Sequence, residues 1–225
     1  MRALPLAIGT IHFVGIGGIG MSGVAEVLHN LGYAVRGSDL AEGANVRRLR
    51  ALGIVVAIGH DEENLGDAQA VVVSSAVKPD NPEIVAARKR LVPVVRRAEM
   101  LGELMRLKWS IAVGGTHGKT TTTAMIAHLL NQGGLDPSYL IAGITLDFPK
   151  PYHLGTGSHF VVEGDEYDSA FFAKQAKFLS YLPQLLVINN IEFDHADIYP
   201  DLEHIEASFR QLINAVPGSG LVIAN

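Results

Sequence analysis

The stretch SIAVGGTHGKTTTTAMIAHLL, from Ser110 to Leu130, constrains the chain more than any other. Residues able to form a buried strand run into a glycine turn, a Lys-Thr pair and an apolar-periodic helix, which is the layout of a phosphate-binding loop. In such a layout the backbone N–H groups of Gly115, Thr116, His117, Gly118 and Lys119 can wrap a polyphosphate, and the helix N-terminus adds a favourable dipole. Lys119 reaches the terminal phosphates, Thr120 places a hydroxyl on Mg²⁺, and Thr121 follows in the same helical turn. The general pattern puts a glycine five residues before the Gly of Gly-Lys-Thr, where this chain has Val113, so the motif is the shorter GTHGKT form. A bare Gly-Lys-Thr also arises in loops by chance. The strand before it and the helix after it argue against that.

Bulk composition narrows what surrounds this loop. At 225 residues, 48% of them hydrophobic and 18% charged, the chain has the makings of a packed core and the length for two ordinary domains. Its net charge of −5 gives no excess of Lys and Arg pointing to nucleic acid, so an anionic partner must be met by local groups. There are no cysteines, which excludes disulfides and thiolate metal sites and is compatible with a cytoplasmic protein. The apolar N-terminus runs straight into a glycine motif without a cleavage site, and no apolar run reaches membrane-spanning length, so neither a signal peptide nor a membrane is expected.

A second glycine pattern opens the chain. Ile11 to Gly15 reads as a buried strand leading into GIGGIG, which sets Gly15, Gly17 and Gly20 in a G-x-G-x-x-G arrangement, with Gly18 between them. A helix from about Met21 to Leu31 and a strand Ala34 to Asp39 with an acidic end complete a nucleotide-type fingerprint. Taken alone, the glycines are equally a tight strand-to-helix turn. The alternation continues through a helix near Asn45 to Leu52, strands Val55 to Ile58 and Ala70 to Val77, a helix Glu83 to Arg90, a strand Val92 to Val95 and a helix Arg96 to Lys108. Continuous β-branched runs of this kind are what a parallel sheet buried on both faces requires. The pattern restarts at the phosphate loop, which predicts two domains, 1–108 and 109–225.

Beyond the loop helix, a strand near Tyr139 to Gly143 is followed by Thr145 to Gly157, read as a surface excursion. Phe160 to Glu163 and Leu185 to Ile191 are strands delivering EGDEYD and EFDHAD at their carboxyl ends, where ligands lie in parallel α/β sheets. Helix Leu202 to Val216 and strand Leu221 to Ala224 close the chain. Glu163, Asp165, Glu166 and Asp168, with Glu192, Asp194, His195 and Asp197, supply oxygen and imidazole donors of the kind a Mg²⁺-nucleotide site needs. Each cluster alone is equally a solvated loop, Asp168 and Asp197 equally helix caps, and His117 equally a solvent-facing side chain.

GIGGIGMSG, GSD at 37–39, SSAV at 74–77, DNPE at 80–83, RRAEML at 96–101, GTHGKTTTTAM, EGDEYD and NNIEFDHADIY together resemble the Mur ligase family, whose members join amino acids or peptides to UDP-N-acetylmuramate with ATP. From Ile11 to about Pro137 the chain is similar to the branch that adds L-alanine. From Tyr139 onward it is similar to the recycling branch that attaches the tripeptide L-alanyl-γ-D-glutamyl-meso-diaminopimelate. The resemblance implies an α/β fold: a Rossmann-like parallel-sheet N-terminal domain for the UDP-sugar, then a partial P-loop ATPase-type α/β central domain, with the family's third domain absent. It implies ATP and Mg²⁺, and the UDP-sugar held by Gly15, Gly17, Gly18, Gly20, Asp39, Ser74 and Asn81. Lys119, Glu163 and His195 become the catalytic candidates, and Thr120, Glu163 and His195 the metal ligands. Two other readings stay open on sequence: an NAD-dependent oxidoreductase using Gly15 to Asp39 as its cofactor loop, and a non-catalytic nucleotide-binding module.

Overall fold

Short strands, several of them rich in valine and isoleucine, form the sheet of the first unit. The computed structural model describes residues 8–141, 143, 145–148, 150–164, 181–193 and 201–225. These fall into two units, Met1–Met100 and Leu101–Asn225. In the first, β1 (Ile11–Val14), β2 (Val35–Asp39), β3 (Val55–Ile58), β4 (Ala70–Val73) and β5 (Val94–Arg96) are all parallel, in the order β3-β2-β1-β4-β5. Every residue of the central β1 is buried. The order reverses between β1 and β4, and such a switch opens a crevice at the carboxyl ends of the two strands.

Helices α1 (Ile19–Asn30), α2 (Ala44–Ala51) and α3 (Pro82–Lys89) supply the crossovers of this sheet. α1 buries Met21 to Leu28 without a break, and its one buried carboxylate, Glu26, accepts from Arg48 Nε of α2 at 3.3 Å. α3 begins where Asn81 Oδ1 accepts the N–H of Glu83 at 2.9 Å and Pro82 takes a position that needs no donor. The strand expected to run to Val77 stops at Val73. There Ser74 turns the chain: its hydroxyl accepts the Ala76 N–H at 3.3 Å and its carbonyl the Val77 N–H at 3.1 Å. The division between the units falls inside α4 (Arg97–Arg106).

One polar cluster lies inside this core. The Glu83 side chain has no exposure. Ser38 Oγ and Asn64 Nδ2 each donate to it at 2.6 Å, and His12 Nε2 stands 3.4 Å away. Asn64 belongs to a 3-10 turn (Glu62–Leu65) that Asp61 caps through the Glu63 N–H. Burial pushes the Glu83 carboxyl up, but the hydrogen bonds from His12, Ser38 and Asn64 together outweigh it, and the group stays charged below its ordinary range.

In the second unit the order is β11-β10-β6-β9-β7-β8, formed by β6 (Trp109–Gly114), β7 (Ser138–Leu140), β8 (Tyr152–His153), β9 (His159–Glu163), β10 (Leu185–Ile188) and β11 (Leu221–Ala224). All pairs are parallel except β7 with β8. Helix α5 (Lys119–Gln132) packs on β6 and β9. Helix α6 (Leu202–Ala215) turns Ile205, Phe209 and Leu212 inward at helical spacing, and its Asp201 cap accepts the His204 N–H at 3.0 Å. The segment Thr145 to Gly157 is not the surface excursion its sparse apolar residues predict. Phe148 and Tyr152 are buried, and Phe148 packs on Tyr139 with ring centroids 4.5 Å apart. Lys108 Nζ pins the segment by donating to the carbonyls of Gly155 and Gly157 at 2.5 and 2.7 Å, and burial lowers the basicity of that amine.

Because the folded carboxyl of Glu83 titrates below its unfolded value, its contribution to stability is full above the ordinary glutamate range of about 4.3 and is lost as pH falls below it. Urea midpoints measured between about pH 7 and pH 3 are expected to fall more steeply for the native chain than for Glu83→Gln. Parallel curves would remove the carboxylate from the acid sensitivity of the fold.

Candidate functional site

The first glycine loop leaves β1 at Gly15, whose φ of +78° suits a residue without a side chain. Ser38 carbonyl oxygen accepts both the Gly15 and Ile16 N–H groups, at 2.9 and 3.0 Å. Asp39 Oδ2 accepts the Gly17 N–H at 2.7 Å, and Asn45 Nδ2 donates to the Gly17 carbonyl at 2.8 Å. A side chain at Gly17 would run into the Asp39 carboxylate, and one at Gly15 would press on Ser74. The structure thus brings Gly15, Gly17, Asp39 and Ser74 together at the crevice between β1 and β4. Asn81, expected on the same side, is buried and spends its carboxamide oxygen on capping α3.

Gly18 starts α1 with no side-chain cap, and the first turn holds no acidic residue. The guanidinium of Arg97 lies against Gly20 in that turn, close enough that a Cβ there would meet its Nη1 at 2.5 Å. A cation at the positive end of a helix is unfavourable unless an anion joins them, and no carboxylate pairs with Arg97 among the described residues. In the sequence Arg97 stands out only as part of RRAEML. Its place beside Gly20 depends on a contact across 77 positions of sequence, which no local pattern reveals.

In the second unit β6 ends at Gly114, and Gly115 follows with φ +129°. Gly118, at φ +78°, opens α5 without a side-chain cap. The neighbouring strands converge on this loop, since β10 and β9 flank β6 on either side. Thr120 Oγ1 stands 3.0 Å from both carboxylate oxygens of Glu163, the last residue of β9. Lys119 Nζ donates to the carbonyls of Gly115 and Thr116 at 2.7 and 3.1 Å, folding its ammonium over the loop. Thr121 is exposed in the first turn of α5.

Asn189 and Asn190, which follow β10 and were given no role on sequence, lace this loop. Asn190 accepts the Thr116 N–H through its backbone oxygen at 3.0 Å and the His117 N–H through Oδ1 at 2.8 Å. Asn189 Nδ2 donates to His117 O and Thr122 Oγ1, at 3.2 and 3.0 Å. Thr116 Oγ1 closes the set, accepting the Glu192 N–H and donating to the Glu192 carbonyl. Of the loop N–H groups expected to face phosphate, those of Thr116 and His117 are therefore turned to Asn190. His117 itself is exposed, with its Nε2 3.9 Å from Glu192.

Oxygen is the donor that a hard cation takes, and the Thr120–Glu163 pair supplies it beside a phosphate-type loop, so these two residues fit Mg²⁺. His195, Asp165, Glu166, Asp168, Asp194 and Asp197 lie outside the described residues. Among the described residues no set of three metal-ligating side chains forms, and no helix is long and apolar enough to cross a membrane.

Two family descriptions match in tandem: "Mur ligase family, catalytic domain" over residues 10–109, and "Mur ligase middle domain" over residues 113–225. The chain belongs to the Mur ligase family. The UDP-N-acetylmuramate–L-alanine ligase of Acidiphilium cryptum is 58% identical over 224 residues, covering 99% of this chain and 45% of its own length. That of Rhodospirillum rubrum is 58% identical over 221 residues, covering 98% and 44%. This Mur ligase chain thus spans about half the length of the curated relatives it matches, and the likeness runs through both units. Among solved structures, the UDP-N-acetylmuramate:L-alanyl-γ-D-glutamyl-meso-diaminopimelate ligase of Neisseria meningitides superposes with a TM-score of 0.87 at 37% identity, covering 97% of this chain and 72% of that one. The UDP-N-acetylmuramate-alanine ligase of Thermotoga maritima does so with a TM-score of 0.80 at 36% identity, covering 96% and 48%. The paired parallel sheets are the Rossmann-like and P-loop ATPase-like architecture of these Mur ligases.

Removing the Asn190 side chain leaves the His117 N–H without its acceptor. Hydrogen exchange of Asn190→Ala is expected to show protection at His117 lowered about 5- to 30-fold, the equivalent of one hydrogen bond of about 1–2 kcal/mol, with the strands of the sheet unchanged. Unaltered exchange at His117 would show that Asn190 does not hold the loop.

Proposed function

We propose that the chain carries the UDP-sugar and ATP sites of an ATP-dependent ligase of peptidoglycan synthesis, joining the lactyl carboxylate of UDP-N-acetylmuramate to the amine of L-alanine in the cytoplasm. The observation that carries the reading is the second loop: a GTHGKT turn at the end of β6 with Thr120 held against Glu163 of the adjacent strand. An oxidoreductase has no use for that pairing. L-alanine is favoured as the amine because the 58% identity to an L-alanine ligase extends over 224 residues. The higher TM-score with the tripeptide ligase keeps the tripeptide as the second reading.

In this reading the carboxylate oxygen of the muramyl group attacks the γ-phosphorus of ATP and ADP leaves, giving an acyl phosphate. The amine then attacks the acyl carbon and phosphate leaves. Both steps crowd anions, so catalysis is mainly charge neutralisation and positioning. The uncapped first turn of α5 receives the phosphates. Lys119 exchanges its hold on the Gly115 and Thr116 carbonyls for the terminal phosphate oxygens. Thr120 and Glu163, joined by His195 on the family resemblance, would hold Mg²⁺, which supplies Lewis-acid neutralisation of phosphate charge. In the first unit, Gly15 to Gly20 admit the UDP diphosphate close to backbone, and Arg97 neutralises it at the start of α1.

Calorimetry on this chain with Mg-ATP and with UDP-N-acetylmuramate tests the assignment. Lys119→Ala is expected to abolish ATP binding and leave UDP-sugar binding intact. Arg97→Ala should do the reverse, weakening the UDP-sugar by about 10- to 150-fold, the range for one charged hydrogen bond of about 1.5–3 kcal/mol. Equal loss of both ligands in either variant would sink the two-site assignment. ADP release with UDP-N-acetylmuramate and L-alanine, compared with the tripeptide, identifies the amine.

A further inference from the structure

Asn189 and Asn190 do more than hold the phosphate loop in place. They also set which way its peptide groups face. In a trans peptide the C=O and the N–H of the following residue point to opposite sides. The Thr116 and His117 N–H groups point to Asn190, so the carbonyls of the same peptides, those of Gly115 and Thr116, point away from it, and there Lys119 Nζ donates to both. The next peptide is reversed. Its carbonyl, that of His117, is turned to Asn189, whose Nδ2 donates to it at 3.2 Å. The Gly118 N–H of this peptide therefore points away from the asparagines, toward the side of the loop on which Lys119 Nζ lies. It has no acceptor among the described residues.

The direction of this one donor matters because the helix does not fix it. Helical backbone dictates where the Lys119, Thr120 and Thr121 N–H groups point, and α5 leaves them without intrahelical partners, since its first bond runs from the Thr122 N–H to the Gly118 carbonyl at 2.9 Å. The His117–Gly118 peptide lies outside the helix, and Gly118, at φ +78°, is a residue for which either sign of φ is open. Turned over, that peptide would set a carbonyl rather than an N–H against an incoming phosphate. Asn189 opposes the turn. Its carboxamide nitrogen has two protons and reaches two acceptors, the His117 carbonyl and Thr122 Oγ1 at 3.0 Å, so it ties the peptide to the start of α5. Gly118 leaves room for this approach, because a Cβ there would stand 3.2 Å from Nδ2. We propose that Asn189 is a positioning residue for phosphate binding: by holding the His117 carbonyl it aims the Gly118 N–H into the loop, beside the donors of Lys119, Thr120 and Thr121. This rests on the ATP site proposed above.

The test uses this chain with Mg-ADP, whose diphosphate occupies the loop without turnover. Phosphorus–nitrogen coupling across a hydrogen bond, read on the ¹⁵N-labelled chain, shows directly whether the Gly118 N–H donates to a phosphate oxygen. The native complex is expected to show that coupling. In Asn189→Leu, which keeps the bulk and removes the donor, the coupling should vanish and affinity for Mg-ADP should fall about 10- to 150-fold, the range for one hydrogen bond to a charged group. A role confined to packing would leave the coupling in place. Circular dichroism and amide exchange in β6 and β10 check the fold, and Asn189→Ala replaces the leucine variant should that one unfold. A native complex without Gly118 coupling, or a folded variant that keeps either the coupling or the native affinity, rejects the proposal and leaves the ATP site standing. A native chain that binds no Mg-ADP rejects both.

Discussion

In each unit a central buried strand must turn within a few residues into a helix whose first N–H groups stay uncovered. Only backbone at positive φ makes that turn. Gly15 at +78° does so after β1, and Gly115 at +129° with Gly118 at +78° after β6. The candidate binding groups are arranged around these turns. Asp39 and Asn45 fix the first from its flank, and Asn189, Asn190 and Glu163 enclose the second. A side chain at Gly115 would meet the Asn190 carbonyl at 3.0 Å, so the same absence of a Cβ that permits the turn also lets β10 approach it.

Much of this was legible because it is local. The two glycine loops, the strands before them, the helices after them and Asp39 at the end of β2 all lie within short windows, where spacing reports conformation directly. Thr120 and Glu163 were both candidates, and the sheet order puts them 3.0 Å apart. Errors came where a short-range interaction overrode an apolar run, as at Ser74, whose hydroxyl ends the strand through the Ala76 N–H. They came again where aromatic residues outweighed low overall hydrophobicity. Phe148 and Tyr152 draw Thr145 to Gly157 onto the core although few of its other residues are apolar.

Residues that act across the chain left no pattern to read. His12, Ser38, His60, Asn64 and Glu83 come from five separate elements or connections, and only folding shows that they share one carboxylate. GSD and DNPE, conspicuous as short words, acquire a physical reason there: Ser38 and Glu83 meet in the core, while Asp39 and Asn81 serve the loop and the helix cap beside them. An ionised group without solvent is tolerated because its oxygens are filled by donors, and the same donors fix the strand ends on which the glycine loop rests.

The lacing of the phosphate loop by Asn190 also bears on the order of events during synthesis. His117 and Asn190 are 73 residues apart, and Thr116 and Glu192 are 76 apart. A nascent chain that has emerged only as far as α5 holds the whole GTHGKT sequence and its glycine turns, but not the Asn189, Asn190 and Glu192 groups that lace it from outside. Long-range closure of this kind is slow relative to helix and turn formation. The laced form of the loop therefore arrives late, when β10 docks beside β6 and brings Asn189, Asn190 and Glu192 to it.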